Sequence, residues 1–240
     1  GDYLLFGHDN GSIASWTTTE APDAGLNISR LSREWRFDET DGGLGNGVGT
    51  VKFIINTSTF PALPVGYTKY ALMVDADGDF SSGAKVYETF SPGSNQFYEI
   101  SGIDLNDGDY VSVAAVKPTV NFLAAASAGS ESLSTAYLPV RLNYIPLNLL
   151  IVDFATANGT AIAPGDYTAF ADTVAFQPGN SFAHVEITVL NDVIPEGDET
   201  FTVTLSNPPA GINLGTITVH TYTIQDCVIL PTAFNVGASA

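Results

Sequence analysis

A chain of 240 residues exceeds the usual size of one domain, so two domains of ordinary length are expected, each large enough to bury a core without disulfides. The composition is 45% apolar, 11% aromatic and only 14% charged, which suits a folded chain rich in strands and turns rather than a disordered or helical one. A net charge of −18 repels phosphates and anionic lipid headgroups, which argues against nucleic acid and membrane surfaces as partners and in favour of cations.

Cys227 is the only cysteine, so no intramolecular disulfide forms and a cysteine-based zinc site is not expected. No run of 18 apolar residues occurs, and the N-terminus lacks a basic-then-apolar signal pattern. Gly1 reads as a mature terminus or as a cut from a longer chain.

In chain order, RLSREWRF (30–37) sets Arg30, Arg33 and Trp35 in an R-x-x-R-x-W pattern. The structural expectation is an arginine beside an aromatic ring and paired with an acid. Val51, Phe53 and Ile55 share one strand face. MVDADGDF (73–80) then places Asp75, Asp77 and Asp79 at alternate positions straight after a strand. That is the spacing of calcium loops, but Phe80 stands where an EF-hand needs glycine, and Asp and Gly also favour a plain hairpin turn. Both readings remain open. Val111, Val113 and Ala115 mark the next strand, which Lys117-Pro118 ends.

Beyond that boundary, LAAASAGSESL (123–133) reads as a strand end followed by a loop. Val185, Ile187 and Val189 alternate, and Phe201, Val203 and Leu205 alternate with Thr200, Thr202 and Thr204. Ile217 and Val219 share one parity while Tyr222 and Ile224 share the other, which predicts a β-bulge near His220 and Thr221. Period-two runs between Gly, Pro, Asn and Asp clusters predict half-buried strands. The expected fold is all-β: two tandem antiparallel β-sandwiches, over 1–118 and 119–227, the second immunoglobulin-like. The apolar, uncharged VILPTAFNVGASA (228–240) is expected to begin a following module or to complete a neighbouring subunit as a strand.

VDFATANGTAIAPGDYTAF (152–170), VAFQPGNSFAHVEITVLND (174–192), EGDETFTVTLSNP (196–208) and YTIQD (222–226) together resemble the Calx-beta domain. The resemblance rests on a GTA segment, a DY pair, an F-x-PG turn and an E-G-D-E-T-F segment, and covers roughly 119–227. It implies a seven-stranded immunoglobulin-like sandwich that binds calcium at one end through loop carboxylates. Carried onto this chain, the ligands are Glu131, Asp166, Asp192, Glu196 and Asp226. Asn191-Asp192 and Asp226-Cys227 stand where strong sites have consecutive aspartates, which implies weaker binding or fewer ions. Asp198 and Glu199 are expected to face water.

HDNGSIASWTTTEAP, RLSREWRF, VGTVKFIIN and YALMVDADGDFSSGAKVY resemble an uncharacterised module of large Bacteroidota-type surface proteins. The three histidines, His8, His184 and His220, belong to no G-x-S-x-G, H-E-x-x-H or phosphate-loop pattern, so no catalysis is expected. The function expected is a non-enzymatic structural or adhesive segment of an extracellular bacterial surface protein or filament, stiffened by calcium. Its partners would be neighbouring modules or identical subunits. The alternative is a carbohydrate- or surface-binding module of a secreted multidomain protein, in which exposed Trp16, Trp35 or tyrosine rings stack on cell-surface glycans.

Overall fold

Among the described residues the alternating runs resolve into eighteen strands and no α-helix. The computed structural model describes residues 3–22, 27–40, 48–92, 96–192, 194 and 196–226, so Cys227 and the apolar 228–240 segment lie outside the described residues.

The first sandwich is built around β9 (Tyr110–Val116). Along one edge of β9 runs β6 (Lys69–Asp75), which carries β7 (Lys85–Glu88) on its far side. The other edge is shared by β3 (Ile28–Leu31) and β4 (Trp35–Thr40). Ser112, fully buried, holds the break between those two, its hydroxyl reaching the carbonyls of Leu31 at 3.2 Å and Arg33 at 3.0 Å. The outer strands β1 (Tyr3–His8) and β2 (Trp16–Thr17) complete a seven-stranded sheet. A two-stranded sheet, β5 (Thr50–Asn56) with β8 (Phe97–Asp104), packs across one face through Phe37, Ile55, Leu72, Ile100 and Val113.

The opposite face of the large sheet is not solvated. Ile28, Ala71, Met73, Ala114 and Val116 join Phe80 in a cluster continuous with the core of the second domain. Strands β6 and β9 are therefore buried on both sides, where the alternation predicted one. The reason lies in their side chains: YVSVAAV and KYALMVD carry small or apolar residues in both phases, so neither face requires water.

The second sandwich packs a four-stranded sheet in the order β15-β12-β10-β17 on a five-stranded sheet in the order β11-β18-β16-β13-β14. These strands are β10 (Thr119–Phe122), β11 (Ala126–Ser130), β12 (Thr135–Leu142), β13 (Leu150–Asn158) and β14 (Ala171–Phe176). After them come β15 (Phe182–Thr188), β16 (Glu199–Ser206), β17 (Asn213–Leu214) and β18 (Val219–Gln225). The stretch expected to end in a loop instead switches sheets, and β11 runs parallel to β18 from Ala126↔Thr221 to Ser130↔Gln225.

No bulge interrupts β18. Its register with β16 is unbroken from Glu199↔Ile224 to Thr204↔Val219. His220, Tyr222 and Ile224 all point inward, and it is Val219 that is turned out. The imidazole is tolerated inside because both nitrogens are satisfied. Nδ1 donates to the Ala124 carbonyl at 2.7 Å, and Nε2 accepts the Ser127 hydroxyl at 2.7 Å.

The linker is clamped rather than free. Buried Asn143 accepts the Thr119 N–H and donates to the Lys117 carbonyl, both at 2.9 Å, bracketing Pro118. Beside it, the Ile145 N–H donates to Val86 O at 2.6 Å and the Glu88 N–H donates to Ile145 O at 3.0 Å. Glu88 also pairs with Lys69 and accepts the Leu147 N–H, while the Lys69 ammonium lies 5.6 Å from the centre of the Tyr144 ring. Tyr144 is 3% exposed, so Tyr144→Ala leaves a large cavity at the junction, worth about 3–5 kcal/mol. The expected calorimetric result is one shared unfolding transition in the parent and two separated ones in the variant.

Candidate metal centre

Strand β16 delivers the first carboxylate. Phe201, Val203 and Leu205 point into the core, and Glu199 shares their phase at the strand's open end. A core position there opens between loops, so an acid occupies the place of an apolar side chain.

The GTA segment secures that end. Thr160 Oγ1 accepts the Thr200 N–H at 2.8 Å, and the Ala161 N–H donates to Thr200 O at 2.9 Å. Gly159 passes so close that a Cβ would lie 2.4 Å from the Thr200 carbonyl oxygen, which is why the position needs glycine. The loop then reaches the DY pair, whose two side chains diverge. Asp166 turns to the pocket and accepts the Ile162 N–H at 2.6 Å. Tyr167 turns into the core, stacks on Phe201 at 4.3 Å and donates its hydroxyl proton to Asn158 Oδ1 at 2.6 Å.

Three other segments close the ring. Asp226, just past β18, accepts the N–H groups of Glu196 and Gly197 at 3.2 Å each. Asp192 accepts the Ile194 N–H at 2.7 Å. Glu131 follows β11, and its backbone N–H donates to Gln225 O at 3.0 Å. Glu131, Asp166, Asp192, Glu196, Glu199 and Asp226 thus line one small pocket with Leu190, Gly197 and Ile224, and no Lys, Arg or His shares the lining. Asp166, Glu196 and Glu199 each bring a carboxylate oxygen within 4.8 Å of the others.

The electrostatic consequence is direct. Loss of hydration, followed by repulsion from Asp192, Asp166, Glu131 and Asp226, holds the Glu196 carboxyl above its ordinary range. Glu199 is raised in the same way, by desolvation first and then by a carboxyl–carboxyl hydrogen bond with Asp166. All the donors are hard oxygens from several loops, the set that calcium takes.

The five residues named from the sequence all line this pocket. Glu199, expected to face water, belongs to it as well, while Asp198 is exposed and outside it. Counting back two positions from Phe201 would have identified Glu199. In the first domain the three aspartates serve their own turn. Asp75, buried at the end of β6, accepts the Asp77 and Gly78 N–H groups at 2.9 Å each. Asp77 accepts the Asp79 N–H at 2.9 Å, and Asp79 accepts from the N–H and the hydroxyl of Ser81. This is the geometry of an Asp/Gly turn, and the three are not gathered as Asp166, Glu196 and Glu199 are.

Other polar groups singled out in the sequence have structural roles. Arg30 is buried, pairs with Glu20 and Glu34, and lies 5.1 Å from the Phe80 ring centre, as the R-x-x-R-x-W pattern predicts. Trp16 is half-buried, donates its indole N–H to Ala62 O and packs on Tyr70. The Ser127–His220 contact lacks the third member of a catalytic set, because Nδ1 is held by a carbonyl and not by a carboxylate.

The raised groups fix a sign for the pH dependence. With chelator present, the folded state keeps protons on Glu196 and Glu199 that the unfolded chain releases near the ordinary value of 4.5. Stability should therefore fall as pH rises from about 4.5 through the raised folded values. Thermal melts in chelator across that range should show the fall, and Glu196→Gln/Glu199→Gln should flatten it.

The Calx-beta domain family matches residues 115–228, and the family described as Domain of unknown function (DUF8202) matches residues 1–109. Among similar proteins, Sodium/calcium exchanger 1 of Canis lupus familiaris is 43% identical over 60 residues, which is 25% of this chain and 6% of that protein. Adhesion G-protein coupled receptor V1 of Danio rerio is 39% identical over 59 residues, 25% of this chain and 1% of that protein. The chain thus spans only a small fraction of these relatives. Among solved structures, the apo-form Calx CBD1 domain aligns with a TM-score of 0.44 and 25% identity, covering 46% of this chain and 98% of that one. Residues 115–228 are a Calx-beta domain, preceded by a separate N-terminal domain of a family of unknown function.

Proposed function

We propose that this chain is a non-enzymatic segment of an extracellular bacterial surface protein, and that calcium stiffens the free end of its second sandwich. One observation carries the calcium reading: carboxylates from separate loops converge with no basic side chain among them. Loops that hold like charges together without a cation are strained electrostatically, and a divalent ion at that point relieves the strain. Glu131, Asp166, Asp192, Glu196, Glu199 and Asp226 would hold it. When bound, the ion supplies positive charge and cross-links the loops. The protein's own residues set the loop positions through the Thr160–Thr200 and Asp226–Gly197 bonds. The extracellular and surface reading draws on the tandem of sandwiches, the acidic composition and the clamped linker, which suit a stiff spacer between modules.

Calorimetric titration with calcium and melting with calcium or chelator test this reading. At free calcium about a hundred times Kd, the folded state gains about 2.7 kcal/mol, which raises Tm by roughly 5–10 °C for a transition that both sandwiches share. Glu199→Gln should weaken binding about tenfold, because it removes a charge from the pocket. Asp198→Asn, outside the pocket, should leave binding unchanged. No heat of binding together with an unshifted melt would leave the acids as solvated loop residues.

A further inference from the structure

The first sandwich is left open along one side. β5 pairs with β8, and among the described residues no strand lies along its other edge. β1, at the rim of the seven-stranded sheet, likewise pairs only with β4. Between these free edges the sheets part into a cavity of about 540 Å³. Every residue from Val51 to Asn56 lines it, joined by Leu4 and Phe6 of β1. Consecutive residues from both faces of a strand share a lining only where the backbone edge is itself the wall. The wall is also apolar. Phe37 stacks on Phe6 and meets Phe53 edge-on, each at 5.5 Å, while Phe6 and Ile54 remain 69% and 60% exposed. Lys52, the one charge on β5, is already paired with Glu99 at 2.5 Å, and Arg33 at the cavity is turned to the Gly11 carbonyl.

Free backbone groups beside apolar walls fit an extended peptide that adds a strand and buries alternate side chains. We propose that the groove beside β5 receives residues 232–239 of a second copy of this chain. That stretch, TAFNVGAS, puts Phe234, Val236 and Ala238 on one strand face and Asn235, Gly237 and Ser239 on the other. It carries no charge to desolvate, and its eight residues are enough to span the seven of β5. Reach selects a second copy over the same chain. The backbone leaves Asp226 at the acidic end of the second domain, whereas the groove lies beyond the junction, on the sheet face turned away from that domain. Six residues, 227–232, extend about 20 Å at most. Returning along β18 alone takes about 23 Å, and the thickness of the first sandwich, about 10 Å between sheets, lies beyond. A groove on one end and a strand on the other make the contact head-to-tail, so it propagates into open chains.

Light scattering of the full chain in reducing buffer, over about a hundredfold concentration range, tests this. The wild type should grow in mass past the dimer. Phe234→Asp/Val236→Asp, outside the described fold, should stay monomeric, with association weakened at least about tenfold. Ile54→Asp, on the exposed edge of the groove, should do the same. Mixing the two variants should give a dimer and nothing larger, because each supplies the part that the other lacks. The proposal is overturned by a wild type that stays monomeric throughout, or by variants that associate as the wild type does. A monomeric wild type whose melting temperature drops on Phe234→Asp/Val236→Asp would overturn it too, by assigning the segment to its own chain. Running the series in calcium and in chelator separates this contact from the acidic pocket, since association should persist in both.

Discussion

The inward phase of β16 is the constraint on which both the core and the acidic end of the second sandwich rest. Leu205, Val203 and Phe201 are all but fully buried, and a strand cannot change phase without a bulge. Glu199 is therefore aimed into the same layer as the core, at the point where that layer meets the loops. Everything around it compensates. Thr160 and Ala161 grip Thr200 from the side, Tyr167 stacks on Phe201 beneath, and Asp226 ties down the turn at Glu196 and Gly197. These are neutral or backbone contacts, so the carboxylates are held in place without help from a counter-charge. Loss of hydration and the remaining repulsion together hold the Glu196 and Glu199 carboxyls above their ordinary range.

The junction between the domains follows from a different economy of burial. A sheet whose strands carry apolar residues in both phases needs cover on both faces, and the small β5–β8 sheet supplies only one. Phe80 and the Tyr144 end of the second sandwich supply the other. The boundary at Pro118 is thus a change of sandwich without a break in the core. Asn143 spans it with two hydrogen bonds, and β7 exchanges backbone bonds with Ile145. A linker satisfied in this way transmits orientation from one sandwich to the other, in contrast to a flexible tether. It also places the acidic pocket at the end farthest from the first domain.

By itself, the sequence determined the strand content, through alternation such as Phe201 to Leu205, while the five loop acids that line one pocket were named through the resemblance carried by the GTA, DY and E-G-D-E segments. Local pattern suffices for the strands, because period-two alternation acts within a few positions. Three matters were decided only by tertiary structure. His220 stays in phase because Ser127 and Ala124, 93 and 96 residues away, satisfy its two nitrogens, and no local reading supplies those partners. Strands β6 and β9 are buried twice because of what packs on them, and alternation reports only which residues share a face. Glu199 lay in phase with the core in plain view, yet its role required Asp166 to arrive from a loop whose position Gly159 and Thr160 set. In each case, which side a residue faces is local physics, and what it meets there is a long-range fact.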